Sequence, residues 1–247
     1  MTARFRLADV GNTRLSTSTV SPTGFPENTV RIAIPVADLS AIAPASPHDA
    51  LHLVTVNPAF STSVRPRLEA VGWSRIVVWG QDVEIPVRHG YPSGTRPGAD
   101  RLAAAAAAYR RARRGCVVID AGTAVTVDVV DADGIFLGGA IAPGRRALAA
   151  GLRGAAPGLP LVDVPTSPAS FPGASTNACL EAGLSAGFGG LLRTLTESAR
   201  AAAGPEAPVF VTGGDADAVL RYVPDVGMEH VDALVLEGVA VFAGLLH

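Results

Sequence analysis

The feature that most constrains the fold is a pattern that occurs twice, once near residue 9 and again near residue 120. In each copy an apolar, strand-like run ends in Asp-x-Gly followed by Asn or Thr, and a second run with alternating Thr or Ser comes next. Asp9-Val10-Gly11-Asn12-Thr13 aligns with Asp120-Ala121-Gly122-Thr123-Ala124. One such turn is common in hairpins, whereas two copies that each open half of the chain indicate a duplicated strand–turn–strand unit.

Strand-like runs alternate with helical stretches along the rest of the chain, which predicts an α/β fold. The clearest helix is DRLAAAAAAYRRARR at 100–114, because alanine has the highest helix propensity and the terminal charges suit the helix dipole. Since the pattern starts again after Arg114, we predict two domains, residues 1–114 and 115–247. Strands are predicted at 4–8, 29–34, 51–56, 75–79, 116–119, 125–130, 135–141 and 209–212, and further helices at 147–151, 176–203, 216–221 and 234–246.

The composition excludes several classes of function. Hydrophobic residues make up 48% and charged residues 17% of the chain, which is typical of a globular protein. The apolar runs are too short for a transmembrane helix and the N-terminus lacks the apolar core of a signal peptide, so we expect a cytoplasmic protein without a membrane partner. The net charge of −2 gives no sign of nucleic-acid binding.

Two residue types further limit the chemistry. The two cysteines, Cys116 and Cys179, are far apart and the histidines are scattered, which argues against a structural zinc site. All 20 basic residues are arginine. Without lysine the chain has neither a Walker A phosphate loop nor a Schiff-base nucleophile.

The paired turns predict a site for a metal–phosphate group. Glycine allows close approach to a ligand, successive N–H groups form an anion-binding nest, and the Asn and Thr side chains add donors. An aspartate beside a phosphate repels it unless a cation lies between them, which points to Mg²⁺ or a similar ion. For Asp9 or Asp120 taken singly, a turn-capping carboxylate is the alternative.

A third segment, VFVTGGDA at 209–216, is an apolar strand that ends in Gly213-Gly214 before a helix. Two glycines leave a flat surface on which the ring of a ligand can lie. Taken alone, this segment is more typical of an ordinary strand-to-helix turn.

Together these segments resemble the phosphate-1, phosphate-2 and adenosine motifs of the actin-like, sugar kinase and Hsp70 ATPase superfamily, and within it the type III pantothenate kinases. The resemblance implies duplicated actin-like (ribonuclease H-like) domains, with mixed sheets flanked by helices. The segments that carry it are DVGNTR at 9–14, GADR at 98–101, IDAGTAVTVD at 119–128, GGAIAPG at 138–144, GAST at 173–176 and VDALVLEGV at 231–239.

The resemblance also implies a reaction, the ATP-dependent phosphorylation of pantothenate to 4′-phosphopantothenate, the first step of coenzyme A biosynthesis. The implied cofactors are ATP with Mg²⁺ and a monovalent cation, K⁺ or NH₄⁺. The implied assembly is a homodimer whose active site lies at the subunit interface.

Site residues follow from the same resemblance. Asp100 would be the base that accepts the hydroxyl proton of the substrate, and the alternative is an N-cap or first-turn acid of the helix. Asp120 would bind the monovalent cation, and Asp9 would act through Mg-ATP. ATP would be bound by Gly11, Asn12, Thr13, Gly122, Thr123, Gly213 and Gly214, and the substrate by Tyr91, Gly98, Ala99, Arg101 and Thr176.

Simpler roles remain open for several of these residues. Arg101 is equally a surface arginine, Tyr91 a half-buried loop aromatic, and Thr176 a helix N-cap. For Asp128, at the end of the second motif, the two alternatives are a structural role behind the site and direct contact with a ligand. The chain departs from the family's usual pattern at Ser93-Gly94, at Pro97 and in VTVNP at 54–58.

Two other functions stay open from the sequence. The first is a small-molecule kinase or phosphatase of the same superfamily with a different acceptor. The second is a non-catalytic regulatory or accessory relative, which loss of Asp100 or of either Asp-x-Gly turn would have favoured.

Overall fold

A computed structural model of the chain describes residues 4–34 and 39–246. Its elements, in chain order, are β1 (Phe5–Val10), β2 (Arg14–Val20), β3 (Pro26–Ala33), β4 (Ala50–Thr55), α1 (Arg65–Ala70), β5 (Ile76–Val78), α2 (Ala99–Ala112), β6 (Cys116–Ala121), β7 (Ala124–Val130), β8 (Phe136–Pro143), α3 (Arg145–Ala155), α4 (Thr176–Ala203), β9 (Val209–Thr212), α5 (Ala216–Tyr222), β10 (Met228–His230) and α6 (Leu234–Phe242). Short 3-10 or π turns cover Ser40–Ile42, Phe60–Val64 and Pro224–Val226.

The chain divides into two compact units, Met1–Arg111 with Ala233–His247, and Ala112–Asp232. The first unit contains a five-stranded sheet in the order β3-β2-β1-β4-β5. β1, β2 and β3 form an antiparallel meander, while β4 and β5 run parallel to β1. Because parallel strands end at the same edge, the residues after β1 and after β4 lie side by side.

The second unit repeats this plan in the order β8-β7-β6-β9-β10. β6, β7 and β8 form the antiparallel meander, and β9 and β10 run parallel to β6. Asp9 and Asp120 are each the fifth residue of the first strand of their sheet. The duplication and the α/β class predicted from the sequence are therefore confirmed.

Each sheet is covered by helices over an apolar core. In the first unit, buried Leu53, Phe60 and Leu68 belong to one hydrophobic cluster, and in the second unit, Ile119 and Phe188 belong to another. Among the described helices, none combines the length and apolarity needed to cross a membrane.

Helix α6 belongs to the first unit, whereas the sequence pattern predicts its residues in the second of two domains, 115–247. The helix is buried along most of its length and packs on β1 and β4. Gly238 lies so close to the backbone of Ala103 in α2 that a Cβ atom would overlap it. Arg111 also donates hydrogen bonds of 2.8 and 2.7 Å to Glu237, so α2 and α6 are held together at two points.

Other elements differ in extent from the sequence prediction. The helix predicted at 100–114 spans Ala99–Ala112, and the one predicted at 147–151 spans Arg145–Ala155. Helix α1 and strand β10 were not predicted, because six and three residues are too short to show a periodic pattern.

Candidate active site

The first Asp-x-Gly turn follows β1 and closes with a hydrogen bond of 2.9 Å from the N–H of Gly11 to the carbonyl of Arg14. Asn12 and Thr13 are exposed at its tip, and Asp9 is half-buried. Asp9 pairs with Ser16 on one side and Val54 on the other. The turn therefore presents the Asn12 and Thr13 side chains at its exposed tip.

Two residues at the carboxyl end of β4, Thr55 within the strand and Asn57 just after it, hold this turn in place. The Thr55 hydroxyl donates to the Val10 carbonyl at 2.9 Å, and the Asn57 amide donates to the Gly11 carbonyl at 3.0 Å. Sequence reasoning treated VTVNP only as a departure from a family pattern and missed both roles. The available signal was a pair of hydrogen-bonding side chains directly after a buried strand.

The GADR segment begins helix α2. Asp100 lies in the first turn, and its Oδ1 accepts a hydrogen bond of 2.8 Å from the N–H of Arg101. Gly98 leaves the space for this carboxylate, since a Cβ atom there would lie 2.6 Å from Asp100 Oδ1. Burial raises the pKa of Asp100, and the backbone hydrogen bond and charge of Arg101 oppose that shift.

Tyr91 and Arg101, ten residues apart, meet in the structure. The Arg101 guanidinium donates to the Tyr91 hydroxyl at 3.2 Å, and both residues are half-buried. The contact fixes the direction of the guanidinium fork beside Asp100. Arg101 is therefore more than a mobile surface side chain.

A cavity of about 280 Å³ lies at the carboxyl ends of β4 and β5. Thr55 and Val56 line it from β4, Trp79 and Gly80 from β5, and Gly98 with Ala99 from the start of α2, together with Gln81, Glu84, Ile85, Val87, His89, Arg96 and Pro97. Thr55 also holds the first turn, so the cavity, the GADR segment and the first turn share one edge of the sheet.

The second Asp-x-Gly turn follows β6. The N–H of Gly122 donates to the Ala124 carbonyl at 2.9 Å, and the N–H of Gly144 donates to the Thr123 carbonyl at 3.1 Å. A Cβ atom on Gly144 would overlap the backbone of Gly122 and Thr123. The backbone of Gly144 therefore holds this turn in place, while Thr123 at its tip is exposed.

The glycine pair after β9 lies against the same turn. Gly213 has φ +92°, and a Cβ atom there would overlap the Ala121 backbone and the Asp120 carboxylate. Gly214 is exposed. The N–H of Asp215 donates to the Ala121 carbonyl at 2.9 Å. The structure thus brings Asp120 and the glycine pair together beside a surface without side chains.

Arg145, the first residue of α3, binds Asp215, the residue that follows the glycine pair. Its guanidinium donates to Asp215 Oδ1 at 2.7 Å and to the Val164 carbonyl. Its side chain is only 11% exposed. This residue was not singled out from the sequence, where it is one of many arginines.

Oxygen atoms suited to a cation collect on one face of the second sheet. Thr126 lies directly opposite Asp120 in the antiparallel register, and its buried hydroxyl has no hydrogen-bond partner. Asp128 is two residues further on the same face and 1% exposed, with Gly139 opposite it leaving room for the carboxylate. Carboxylate and hydroxyl oxygens fit a hard cation.

Among the residues that the structure describes, no group of three or more His, Cys, Asp or Glu side chains forms a metal cage. Mg²⁺ bound through substrate phosphates needs only one or two protein carboxylates. Asp9 and Asp120 each place one carboxylate at a turn, and this donor set fits an ion bound partly through phosphates.

Thr176 is the first residue of α4 and is exposed. The N-cap is Ser175, whose hydroxyl accepts from the N–H of Ala178 at 3.2 Å, so the N-cap alternative for Thr176 is wrong. The Thr176 side chain is left at an exposed helix start.

Comparison with known proteins identifies the family. A family model described as type III pantothenate kinase matches residues 7–198. The type III pantothenate kinase of Ruegeria pomeroyi is 39% identical over 143 residues, 58% of this chain and 55% of that relative. The type III pantothenate kinase of Thermomicrobium roseum is 38% identical over 157 residues, 64% of this chain and 60% of the relative. The matched segments thus span little more than half the length of these curated relatives.

Solved structures show the fold. A Campylobacter jejuni protein assigned to the Baf family of transcriptional activators matches with a TM-score of 0.64 and 19% identity, covering 97% of both chains. An inorganic polyphosphate/ATP-glucomannokinase from Arthrobacter sp. matches with a TM-score of 0.52 and 16% identity, covering 100% of both. The expected duplicated actin-like fold, with mixed sheets flanked by helices, is confirmed.

Proposed function

This chain belongs to the type III pantothenate kinase family, and on that premise we propose that it transfers the γ-phosphoryl group of ATP to pantothenate. The products are 4′-phosphopantothenate and ADP, so the reaction opens coenzyme A biosynthesis. The observation that carries the proposal is the shared edge of the first sheet, where the turn after β1, the half-buried Asp100 and a cavity of about 280 Å³ lie together. The family match favours this kinase over the accessory protein and over other acceptors.

Asp100 is the proposed catalytic base. As the hydroxyl oxygen of pantothenate attacks the γ-phosphorus, its proton passes to the Asp100 carboxylate and ADP leaves. Burial raises the pKa of Asp100, which makes the carboxylate a better proton acceptor than an exposed aspartate. The N–H of Arg101 holds Oδ1 at 2.8 Å and so orients the carboxylate at the start of the helix.

Arg101, Tyr91 and the helix start bind the acceptor in this proposal. The guanidinium presents a planar fork that suits a carboxylate, and the Tyr91 hydroxyl at 3.2 Å fixes its direction. Gly98 and Ala99 line the cavity and allow the substrate to approach the backbone beside Asp100.

The two turns and the glycine pair bind ATP. Asn12, Thr13 and Thr123 supply polar side chains for the phosphates at the exposed tips of the turns, and Gly11 and Gly122 allow the phosphates to approach the backbone. Asp9 acts through the Mg²⁺ that accompanies ATP, and Gly213 with Gly214 faces the adenosine. When bound, the metal ion neutralises charge on the phosphate oxygens, which phosphoryl transfer requires.

Asp120 is the proposed ligand of K⁺ or NH₄⁺. The unpartnered Thr126 hydroxyl opposite it and the buried Asp128 carboxylate on the same face provide oxygens in support. Replacing Na⁺ by K⁺ in the assay should raise the rate in the wild type, and the Thr126→Val variant should respond less to K⁺.

A homodimer completes the proposed site, with Thr176 of one subunit contacting the substrate held by its partner. Support comes from the exposed start of α4 and from exposed apolar side chains of the second unit, with Ile141 66%, Leu161 66% and Phe171 89% exposed. Mixing inactive Asp100→Asn with inactive Thr176→Val subunits should restore part of the activity. No recovery after verified subunit exchange would contradict a shared site.

The central test measures pantothenate-dependent ADP release and identifies the phosphorylated product by mass. We expect Asp100→Asn to lower the rate about 10²–10⁴-fold, the usual contribution of a general base, with ATP affinity unchanged. Asp217→Asn, which alters an exposed first-turn acid of α5, is the matched control and should keep full activity. ADP release that does not depend on pantothenate would overturn the proposal.

A further inference from the structure

We infer that Glu237 and Gly238 of α6 position the proposed base Asp100 by holding helix α2 at two points. This inference rests on the proposed function, since it names residues that act through the base of that reaction. Both residues belong to the segment VDALVLEGV at 231–239, which no step of the proposed reaction uses. They are positioning residues, because they act on the substrate only through Asp100.

The first point of contact lies one helical turn after Asp100. Gly238 lies against the backbone of Ala103, and a Cβ atom on Gly238 would overlap the Ala103 carbonyl group. Only glycine leaves room for so close an approach. The two helices therefore meet backbone to backbone, and this contact sets the distance between them near the base.

The second point lies at the other end of α2. Arg111 donates hydrogen bonds of 2.8 and 2.7 Å to the two carboxylate oxygens of Glu237, whose side chain is 8% exposed. Such a two-point pair fixes the direction of both planar groups. Asp100 and Arg111 lie about three helical turns apart, so they share one face of α2 within roughly 20°. The pair therefore sets the rotation of α2 about its own axis.

The remaining buried surface of α2 gives little resistance to such a rotation. Ridges that pack into grooves fix the angle of a helix on its neighbours, and alanine methyl groups form only shallow ridges. The rotation must then be set by specific contacts such as the ion pair. The buried residues of α2 are one leucine and five alanines, namely Leu102, Ala103, Ala104, Ala105, Ala107 and Ala108.

Helix α6 also supports the first Asp-x-Gly turn. It packs on β1 and β4, and β1 leads directly into that turn at Gly11. β4 ends at Thr55, whose hydroxyl holds the same turn. One helix is thus the common support of the proposed phosphate site and of the helix that begins at the base, so it sets the distance between them.

Small movements of α2 should have a large effect on the reaction. A carboxylate oxygen lies about 5 Å from the helix axis, so a rotation of about 10° moves it by roughly 0.9 Å. A misplacement of about 1 Å costs on the order of 10²-fold in rate. ATP binding should not change, because the proposed ATP residues lie on the turns and not on α2.

The first experiment is Glu237→Gln, which keeps the size of the side chain but leaves only one oxygen to accept from Arg111. We expect kcat at saturating pantothenate to fall about 10–100-fold, with an unchanged Kd for ATP. Rates are measured well below the melting temperature of every variant, so that the folded fraction is the same. A wild-type kcat in Glu237→Gln would overturn the inference.

Leu68→Ala is the matched control for lost stability. Leu68 is fully buried in α1, and its hydrophobic cluster is formed by residues between 8 and 78, which precede α2. The cavity left by this change should lower the melting temperature while kcat stays constant. A loss of kcat in Leu68→Ala equal to that in Glu237→Gln would show that stability, and not the position of α2, limits the rate.

A double variant tests whether Glu237 acts through Asp100. Once Asp100→Asn has removed the base, adding Glu237→Gln should lower kcat little further, because a base that is absent cannot be misplaced. Residues that act independently lower the rate by the product of their separate effects. A full multiplicative loss in the double variant would therefore overturn the inference.

Gly238→Ala tests the backbone contact. The added methyl group would press on the Ala103 backbone, so both kcat and the melting temperature should fall. Gly190→Ala is the matched control, since Gly190 also lies inside a helix but has nothing within 4 Å of the position of a Cβ atom. It should keep both values, and equal behaviour of the two variants would contradict the role of the contact.

Failure of the inference and failure of the proposed function give different results. If the wild type forms phosphopantothenate and Glu237→Gln keeps its kcat, only the inference falls. If the wild type releases no ADP with pantothenate, the proposed function falls. Hydrogen exchange of the α2 amides then still measures whether Glu237→Gln loosens the helix, and unchanged exchange would overturn the structural basis of the inference as well.

Discussion

The two Asp-x-Gly turns occupy the same place in two sheets of the same strand order, yet they are held in different ways. In the first unit the neighbouring strand β4 ends at Thr55, and Asn57 follows it. The side chains of these two residues donate hydrogen bonds to the turn at 2.9 and 3.0 Å. In the second unit the equivalent strand β9 continues into Gly213 and Gly214, and Gly213 lies directly against the turn.

The difference shows that one backbone frame can be fixed by side chains or by close backbone contact. The register makes the comparison direct, since Asp9 pairs with Val54 and Asp120 with Thr212, the residues just before Thr55 and Gly213. Side chains on the first edge leave hydrogen-bonding groups beside the cavity. Glycines on the second edge leave a flat surface, which suits the adenosine of the proposed reaction.

The largest effect is expected from Gly213→Ala. Its φ of +92° is costly for alanine, and the added Cβ atom would overlap the Ala121 backbone. Strain and overlap together should lower the free energy of unfolding by about 3 kcal/mol or more. Chemical denaturation measures this loss, and ATP binding should disappear with it.

Gly204→Ala, in the same unit, separates the cost of backbone strain from the cost of atomic overlap. Gly204 has φ +118° but nothing within 4 Å of the position of a Cβ atom. Its substitution should cost only the backbone strain, about 1–3 kcal/mol. If both variants lose the same amount, Gly213 is needed for its conformation alone and the backbone contact adds nothing.

Arg145→Gln should have the next largest effect. The change leaves Asp215, whose side chain is 23% exposed, without its partner. Partial burial reduces the penalty below that of a fully buried pair, so we expect a loss of about 1–2 kcal/mol and a higher KM for ATP. Arg193→Gln, which breaks the exposed pair with Asp225, is the control and should change little. A loss in the Arg193 variant as large as in the Arg145 variant would contradict the argument.

Asn57→Ala tests how the first turn is held. The variant loses one hydrogen bond to the Gly11 carbonyl and another from the N–H of Ala59 at 2.8 Å. The expected loss is about 1 kcal/mol, with a KM for ATP several times higher. Should Asn57→Ala prove as damaging as Gly213→Ala, the proposed contrast between side-chain and backbone support would be lost.

Local patterns made part of this molecule predictable. The turns, the glycine pair and GADR are short segments whose own backbone chemistry shows their role, so Asp9, Asp100, Asp120 and Gly213 were located from the sequence. Asp100 and Gly98 interact within one helical turn, which sequence reasoning can reach. The assignments of these residues to ATP and acceptor remain proposals.

Contacts between distant segments were not predictable in the same way. Asn57 meets Gly11 across 46 residues, and Arg145 meets Asp215 across 70. Which polar residue ends beside which turn depends on strand pairing, which no local pattern shows.

The smallest expected effect is a difference in the pH dependence of stability. It compares the contributions of two carboxylates, one from each unit. Burial raises the pKa of Asp100, so the folded state binds this proton more tightly than the unfolded chain does. The stability that the protonated form contributes is complete below about pH 3.8, the ordinary value, and is lost as the pH rises through the higher folded pKa. The melting temperature of the wild type minus that of Asp100→Asn should therefore fall as the pH rises above 3.8 and through the folded pKa.

Asp225 should show the reverse sign. The hydrogen bond from Arg193 lowers the pKa of this exposed carboxyl from 3.8 to about 2. Its contribution is present above pH 3.8 and is lost as the pH falls towards 2, and salt should weaken it because the pair is exposed. The melting temperature of the wild type minus that of Asp225→Asn should thus be slightly positive at neutral pH and should decrease in acid. Slopes of the same sign for both carboxylates would mean that burial does not set the proton affinity of Asp100, and would remove the physical basis for its role as the base.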